Sequence, residues 1–177
     1  MKISVLFTVL FGISVLAFGQ FSKEMIVDAG LTVSTSLQMA DLDGDGDDDL
    51  ICSAGSVSKI AWHENMGDGT FSSQKIVSWD NQGVSDVFVV DINNDGKNDV
   101  ISVGVYENMV AWHENSGDGE FEETHVIAEL SNSPGYLHVT DLDNDGDMDV
   151  IVTVNLDDKV IWFENLGDET FSTENVI

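Results

Sequence analysis

Disulfides, arginine and sustained helical periodicity are all missing from this chain, and each absence removes a class of protein. Cys52 is the only cysteine among 177 residues, so no internal disulfide supports the fold. Its setting, Leu50-Ile51-Cys52-Ser53-Ala54, reads as a strand in which the thiol packs as a small hydrophobe. Six lysines and no arginine stand against 33 Asp and Glu, for a formal charge of −27. Nucleic acid and anionic lipid are bound by clustered cations, so neither is an expected partner. The one proline, Pro134, falls where a loop is expected. No Ser-His-Asp order, phosphate-binding glycine loop or zinc spacing is present.

Acidity this strong can signal disorder. Here 42% of residues are apolar, and 14 of the 33 acids are gathered in three short loops, a distribution that fits a packed fold. The N-terminus has a separate logic. Lys2 precedes an apolar run at 3–18, and Ala17-Phe18-Gly19 has the small-x-small form of a cleavage site. A run of about 16 residues is short for a membrane span. Residues 1–19 are therefore expected to be a signal peptide, and the mature chain to be secreted, with no membrane insertion after cleavage.

What remains is repetition. Asp41-Leu42-Asp43 recurs as Asp91-Ile92-Asn93 and Asp141-Leu142-Asp143, and Ala61-Trp62-His63-Glu64-Asn65 as Ala111-Trp112-His113-Glu114-Asn115 and Ile161-Trp162-Phe163-Glu164-Asn165. Phe21, Phe71, Phe121 and Phe171 open a third recurring block, and every copy is offset by 50 residues. Each unit holds four strand-like runs, in the first copy 37–40, 50–53, 59–65 and 71–77. Gly67-Asp68-Gly69 is a tight-hairpin signal between the last two. Four antiparallel strands per repeat of 40–50 residues describe a β-propeller blade. The expectation is an all-β chain of three four-stranded blades, at 36–85, 86–135 and 136–177, forming part of a larger ring. The run at 21–27, within an N-terminal segment at 20–35, is a strand without a blade. It reads as a ring-closing strand, with further blades supplied by a longer chain or by self-association.

The acidic loops at 41–49, 91–99 and 141–149 have the spacing of a Ca²⁺ cage. Ca²⁺ takes six to eight oxygens, and acids at positions 1, 3, 5 and 9 of a nine-residue loop can converge on one point. Gly46, Gly96 and Gly146 allow the sharp turn that presents the carbonyl of position 7. An EF-hand is excluded, because its position 12 glutamate is here Cys52, Ser102 and Val152 and β-rich runs flank the loops. Mg²⁺ prefers fewer protein ligands and a tighter octahedron. The candidate ligands are Asp41, Asp43, Asp45, Asp47 and Asp49; Asp91, Asn93, Asp95, Lys97 and Asp99; and Asp141, Asp143, Asp145, Asp147 and Asp149. Asp47, Lys97 and Asp147 would contribute through their carbonyls. About one Ca²⁺ per repeat is expected, three in all, with the second loop weakest because Asn93 and Lys97 reduce its charge.

The combined pattern, Asp-x-Asp/Asn-x-Asp-Gly-x-x-Asp followed by Trp-x-Glu-Asn-x-Gly-Asp-Gly-x-Phe, resembles the FG-GAP/VCBS-type repeat of integrin α-chain-like propellers. That resemblance covers nearly all of the mature chain and implies Ca²⁺ in the loop joining the first two strands of each blade. It also implies a binding or adhesion module rather than an enzyme, with an extracellular protein or glycan as ligand. A lectin is the alternative, as is a fragment of a propeller polysaccharide lyase or sugar dehydratase. Trp62, Trp112 and Trp162 are expected to pack between blades, and His63 and His113 to line the ring or the surface. Glu64, Glu114 and Glu164, each followed by Asn, are expected to serve the hairpin. Tyr106, His125 and His138 break the repeat.

Overall fold

The computed structural model describes residues 33–79 and 83–177, apart from the Glu122 side chain. The expected signal peptide and the run at 21–27 lie outside these residues. Twelve strands form three four-stranded antiparallel sheets, each in sequential order. The first contains β1 (Ser34–Ala40), β2 (Asp49–Ala54), β3 (Lys59–His63) and β4 (Lys75–Ser78). The second contains β5 (Val84–Val90), β6 (Asp99–Gly104), β7 (Met109–Gly117) and β8 (Glu120–Glu129). The third contains β9 (Pro134–Thr140), β10 (Asp149–Val154), β11 (Lys159–Phe163) and β12 (Asn175–Val176). A single 3₁₀ turn, Gly55–Val57, is the only helical element among the described residues. The chain is all-β and built of propeller blades, as the repeat implies.

Two boundaries differ from expectation. Pro134 is the first residue of β9 rather than part of a loop, a position where its missing N–H removes no central ladder bond. The run at 71–77 becomes a strand only from Lys75 in the first blade. Phe71 is held by a lone bridge to Asn65, and the polar Ser72 and Ser73 lie outside the ladder. In the second blade the same hairpin is laddered from end to end.

The cores lie between sheets. A single sheet exposes two faces, so alternate residues of each blade need a neighbouring blade to cover them. Ile51, Ile60 and Trp62 of the first blade pack with Val84, Val87 and Val100 of the second. Ile101, Val110 and Trp112 of the second pack with Leu137, Val139 and Val150 of the third. Trp62 and Trp112 are buried, as expected of tryptophans between blades, whereas Trp162 is only half-buried. The contact is close: Gly119, at φ +69, lies under the Trp62 ring, and a Cβ there would overlap it. The first strands β1, β5 and β9 adjoin one another across the blades.

His63 and His113 are buried at 2% and 1% exposure, which corrects their assignment to the ring lining or surface. Each finds polar partners inside its blade. His63 Nδ1 donates to the Ser72 carbonyl at 3.1 Å. His113 shares hydrogen bonds with Ser102 Oγ at 2.8 Å and Thr124 Oγ1 at 3.0 Å. In the third blade Phe163 and Val152 replace the His and Ser, and the polar pair gives way to an apolar one. Burial pushes the His113 imidazole down to about 4, with the neighbouring His125 adding to the effect. The unfolded chain binds this proton near pH 6.5 and the folded chain does so only near 4. Stability from His113 is therefore complete above about pH 6.5 and is lost as pH falls from there through 4. Urea melts between pH 7 and 4.5 should show this loss in the native chain, and a smaller one in His113→Phe.

Candidate metal centres

Each acidic loop joins the first strand of a blade to the second, and the backbone of the loop folds around its own carboxylates. In the first loop Asp41 accepts the Gly44 and Gly46 amides, at 2.7 and 3.0 Å. Asp43 and Asp45 accept the amides two residues on, those of Asp45 and Asp47. Asp91 in the second loop likewise accepts from Asp95 and Gly96, and Asp141 in the third from Gly146. Gly46, Gly96 and Gly146 all have φ between +88 and +104, which a side chain resists.

Position 9 has a different task. Asp49, Asp99 and Asp149 are fully buried, and each accepts two backbone amides with its two oxygens. One comes from position 2 of the same loop: Leu42, Ile92 or Leu142. The other comes from the Asn of the Trp-x-Glu-Asn block: Asn65, Asn115 or Asn165, at 2.8–2.9 Å. Burial raises the Asp49 carboxyl above its ordinary range and pushes Asp99 up to about 6. Desolvation also raises Asp43 and Asp143.

Carboxylate oxygens converge in two of the loops. Those of Asp41, Asp43 and Asp45 lie within 4.8 Å of one another, as do those of Asp141, Asp143 and Asp149. Asp141 Oδ1 is shut off from solvent and has no hydrogen-bond donor. A buried anionic oxygen with no donor costs free energy that a cation would offset, so the donor set fits a hard divalent ion. In the second loop Lys97 Nζ lies 3.0 Å from Asp95, so its side chain supplies a counter-charge beside its carbonyl. At position 7 Asp47 is exposed, whereas Asp147 is half-buried and accepts from Asn94 of the neighbouring loop at 2.7 Å.

The Glu of the Trp-x-Glu-Asn block faces the loops, and its partner differs from blade to blade. Glu64 pairs with Lys75 at 2.8 Å, and Lys75 also lies over the Trp62 ring. Glu114 lies 3.2 Å from His125, which stacks on Trp112. Glu164 instead joins Asp143 and Asp145 in an all-acid cluster. Sequence reasoning placed these glutamates on the hairpin and missed their approach to the loops.

It also missed the asparagine beside them. Asn115 Nδ2 donates to Asn98 O of its own blade and to Leu42 O in the loop of the preceding blade, at 2.9 and 2.8 Å. Asn165 does the same toward Met148 O and Ile92 O. Each also caps the turn by accepting the Gly117 or Gly167 amide. The recurring Glu-Asn doublet was the available signal, but a bond reaching back 73 residues has no local trace.

A family model described as an FG-GAP-like repeat matches residues 41–102 and 91–152, more than half of the chain. The chain belongs to the FG-GAP-like repeat family. No curated protein matches it by sequence. Among solved structures, an Agrocybe aegerita lectin that recognises non-reducing terminal N-acetylglucosamine aligns with a TM-score of 0.58 at 23% identity. The alignment covers 77% of this chain and 36% of the lectin, so this FG-GAP-like chain spans about a third of that protein's length. The Photorhabdus luminescens Tc holotoxin pore aligns at 19% identity with a TM-score of 0.47, over 80% of this chain and 7% of the other. The lectin likeness shows the propeller-type fold.

Replacing Asn115 by Ala takes this donor from the buried Leu42 carbonyl and the part-buried Asn98 carbonyl and removes the cap of the turn. Each such loss costs about 1–3 kcal/mol. Asn115→Ala should lower unfolding free energy by at least about 2 kcal/mol in urea titrations. Asn65→Ala, whose amide reaches only Asp48 O within its own blade, should cost less.

Proposed function

We propose that this FG-GAP-like repeat chain is a secreted, non-enzymatic binding or adhesion module whose three acidic loops each hold one Ca²⁺ as a structural staple. The observation that carries the reading is the convergence of loop carboxylates around the donor-less Asp141 Oδ1. An all-oxygen donor set suits Ca²⁺ and gives no nitrogen or sulfur for zinc. Positions 1, 3, 5 and 9 would supply carboxylate or amide oxygens, and position 7 its carbonyl. The cation would offset the repulsion of four carboxylates in the first and third loops and three in the second, and tie the first strand of a blade to the second. The second loop, with Asn93 in place of Asp and Lys97 paired to Asp95, would bind weakest.

A binding role also fits the burial of the Ser102–His113 pair. Ser102 and His113 are buried at 0% and 1%, where no substrate reaches them. If each loop binds at [Ca²⁺] about a hundred times its Kd, each site adds about 2.7 kcal/mol. At roughly 2–4 °C per kcal/mol for a chain of this size, the three sites together shift the melting temperature by more than about 10 °C. Calorimetry in excess chelator and in millimolar Ca²⁺ measures that shift, and coincident melts would defeat the stapling role.

Carbohydrate is the ligand class with specific support. At the strand ends opposite the acidic loops, clefts of about 390 and 320 Å³ lie between successive blades. Tyr106 borders one and Tyr136 the other, both largely exposed, with Thr35 and Ser85 shared between them. Aromatic faces beside small hydroxyls suit a pyranose ring. Glycan-array binding at a temperature where the chelated protein stays folded separates the two roles. Binding that persists there fits a structural Ca²⁺ far from the ligand, and no binding to any glycan would leave a protein partner.

A further inference from the structure

The two ends of the three-blade stack expose the two halves of the contact that its interior repeats twice. Between the first and second blades, and again between the second and third, one blade offers its Trp face and the next offers the face of its first strand. Position 37 of the repeat reports on the receiving face. Val87 and Leu137 are 1% and 7% exposed, whereas Leu37, which faces no blade among the described residues, is 60% exposed. Met39 is 54% exposed where its copy Val139 is 5%. The offering face tells the same story at the other end. Leu42 and Ile92 are each 2% exposed and Leu142 is 40%. Ile60 and Val110 are fully buried and Val160 is 39% exposed.

The polar and steric details match as well. Asn115 and Asn165 reach the position 2 carbonyl of the preceding loop, Leu42 O and Ile92 O. The third pair in that series is Asn65 at one end and the Leu142 carbonyl at the other. Trp62 packs over Gly119 between the first two blades; between the second and third the equivalent position is Glu169, and at the two ends the equivalent residues are Trp162 and Gly69. Space above Gly69 is open, with nothing within 4 Å of a Cβ built there. A bare glycine thus waits at one end and a half-buried tryptophan at the other.

We propose that the Trp face of the third blade docks onto the first-strand face of the first blade in a second copy of this chain, head to tail. The contact continues the internal blade-to-blade interface with the same residue types in the same register. It is heterologous, so a closed assembly has both faces of every copy occupied. Net charge opposes association, so the contact forms best with Ca²⁺ present.

Sedimentation or light scattering of the full chain in millimolar Ca²⁺ should give twice the single-chain mass. A Leu37→Asp/Met39→Asp chain blocks one face, and a Val160→Asp chain blocks the other. These side chains are exposed within one copy, so circular dichroism and melting in the monomer range should report intact blades. Each blocked chain alone should sediment at the single-chain mass, and an equimolar mixture should recover a two-chain species through the one unblocked pair of faces. A larger closed assembly that both blocks dissolve also supports the docking. A single-chain mass for the unaltered protein would overturn it, as would a dimer indifferent to both blocks. A dimer lost with only one of them would mean that like faces meet, and would overturn it too.

Discussion

A buried aspartate that accepts two amides governs the local architecture of every blade. Asp49, Asp99 and Asp149 each take one N–H from the start of the acidic loop and one from the Asn of the Trp-x-Glu-Asn block. The bond to the loop sets its curvature, and the bond to the asparagine places the hairpin against it. A carboxylate sealed from water is costly, and charge-assisted bonds to fixed N–H groups are the usual compensation. Burial holds the Asp99 carboxyl up at about 6 even though its two amide bonds pull it down. The same loops gather further carboxylates beside it, so the fold concentrates the charge it can least afford to leave unbalanced.

From that anchor the blades are joined in series. The residue held by the aspartate is the asparagine whose amide crosses to the preceding loop. Thr35 and Ser85 add hydroxyl bonds to the next blade at the opposite strand ends, to Val84 O and Gly135 O. Hydrophobic contact between sheets supplies most of the driving force, and these bonds give it direction. Interlocked tryptophan and glycine, Trp62 on Gly119, fix how close neighbouring hairpins come. Stability of such an array is a sum over blades and their shared interfaces, so its ends are its weakest places.

Variation within the repeat has a common theme, the search for a counter-charge near the loop. The position beside the tryptophan is Lys75 in the first blade, His125 in the second and Asn175 in the third. The glutamate facing it goes from an ion pair, to an imidazole contact, to a cluster of acids. Lys97 answers the same need in the second loop. Buried histidines vary in concert with their partners: His113 goes with Ser102, and Phe163 with Val152.

Period, strand count, turn chemistry and the positions of the loop carboxylates were all legible in the sequence. They rest on local rules: alternation for strands, positive φ for Gly46 and its copies, and fixed spacing for carboxylates that must converge. The strand of the fourth run and the place of Pro134 were less legible, because pairing partners decide where a ladder begins. Tertiary structure alone decided that His63 and His113 are interior, since their hydrogen-bond partners lie nine to eleven residues away in sequence, elsewhere in the blade. It alone showed that the Glu-Asn doublet belongs to the acidic loops as much as to the hairpin. It also decided which copies of a repeated residue are covered, for three equal tryptophans end in unequal surroundings. A sequence repeat makes the blades alike, while burial depends on what stands beside each one.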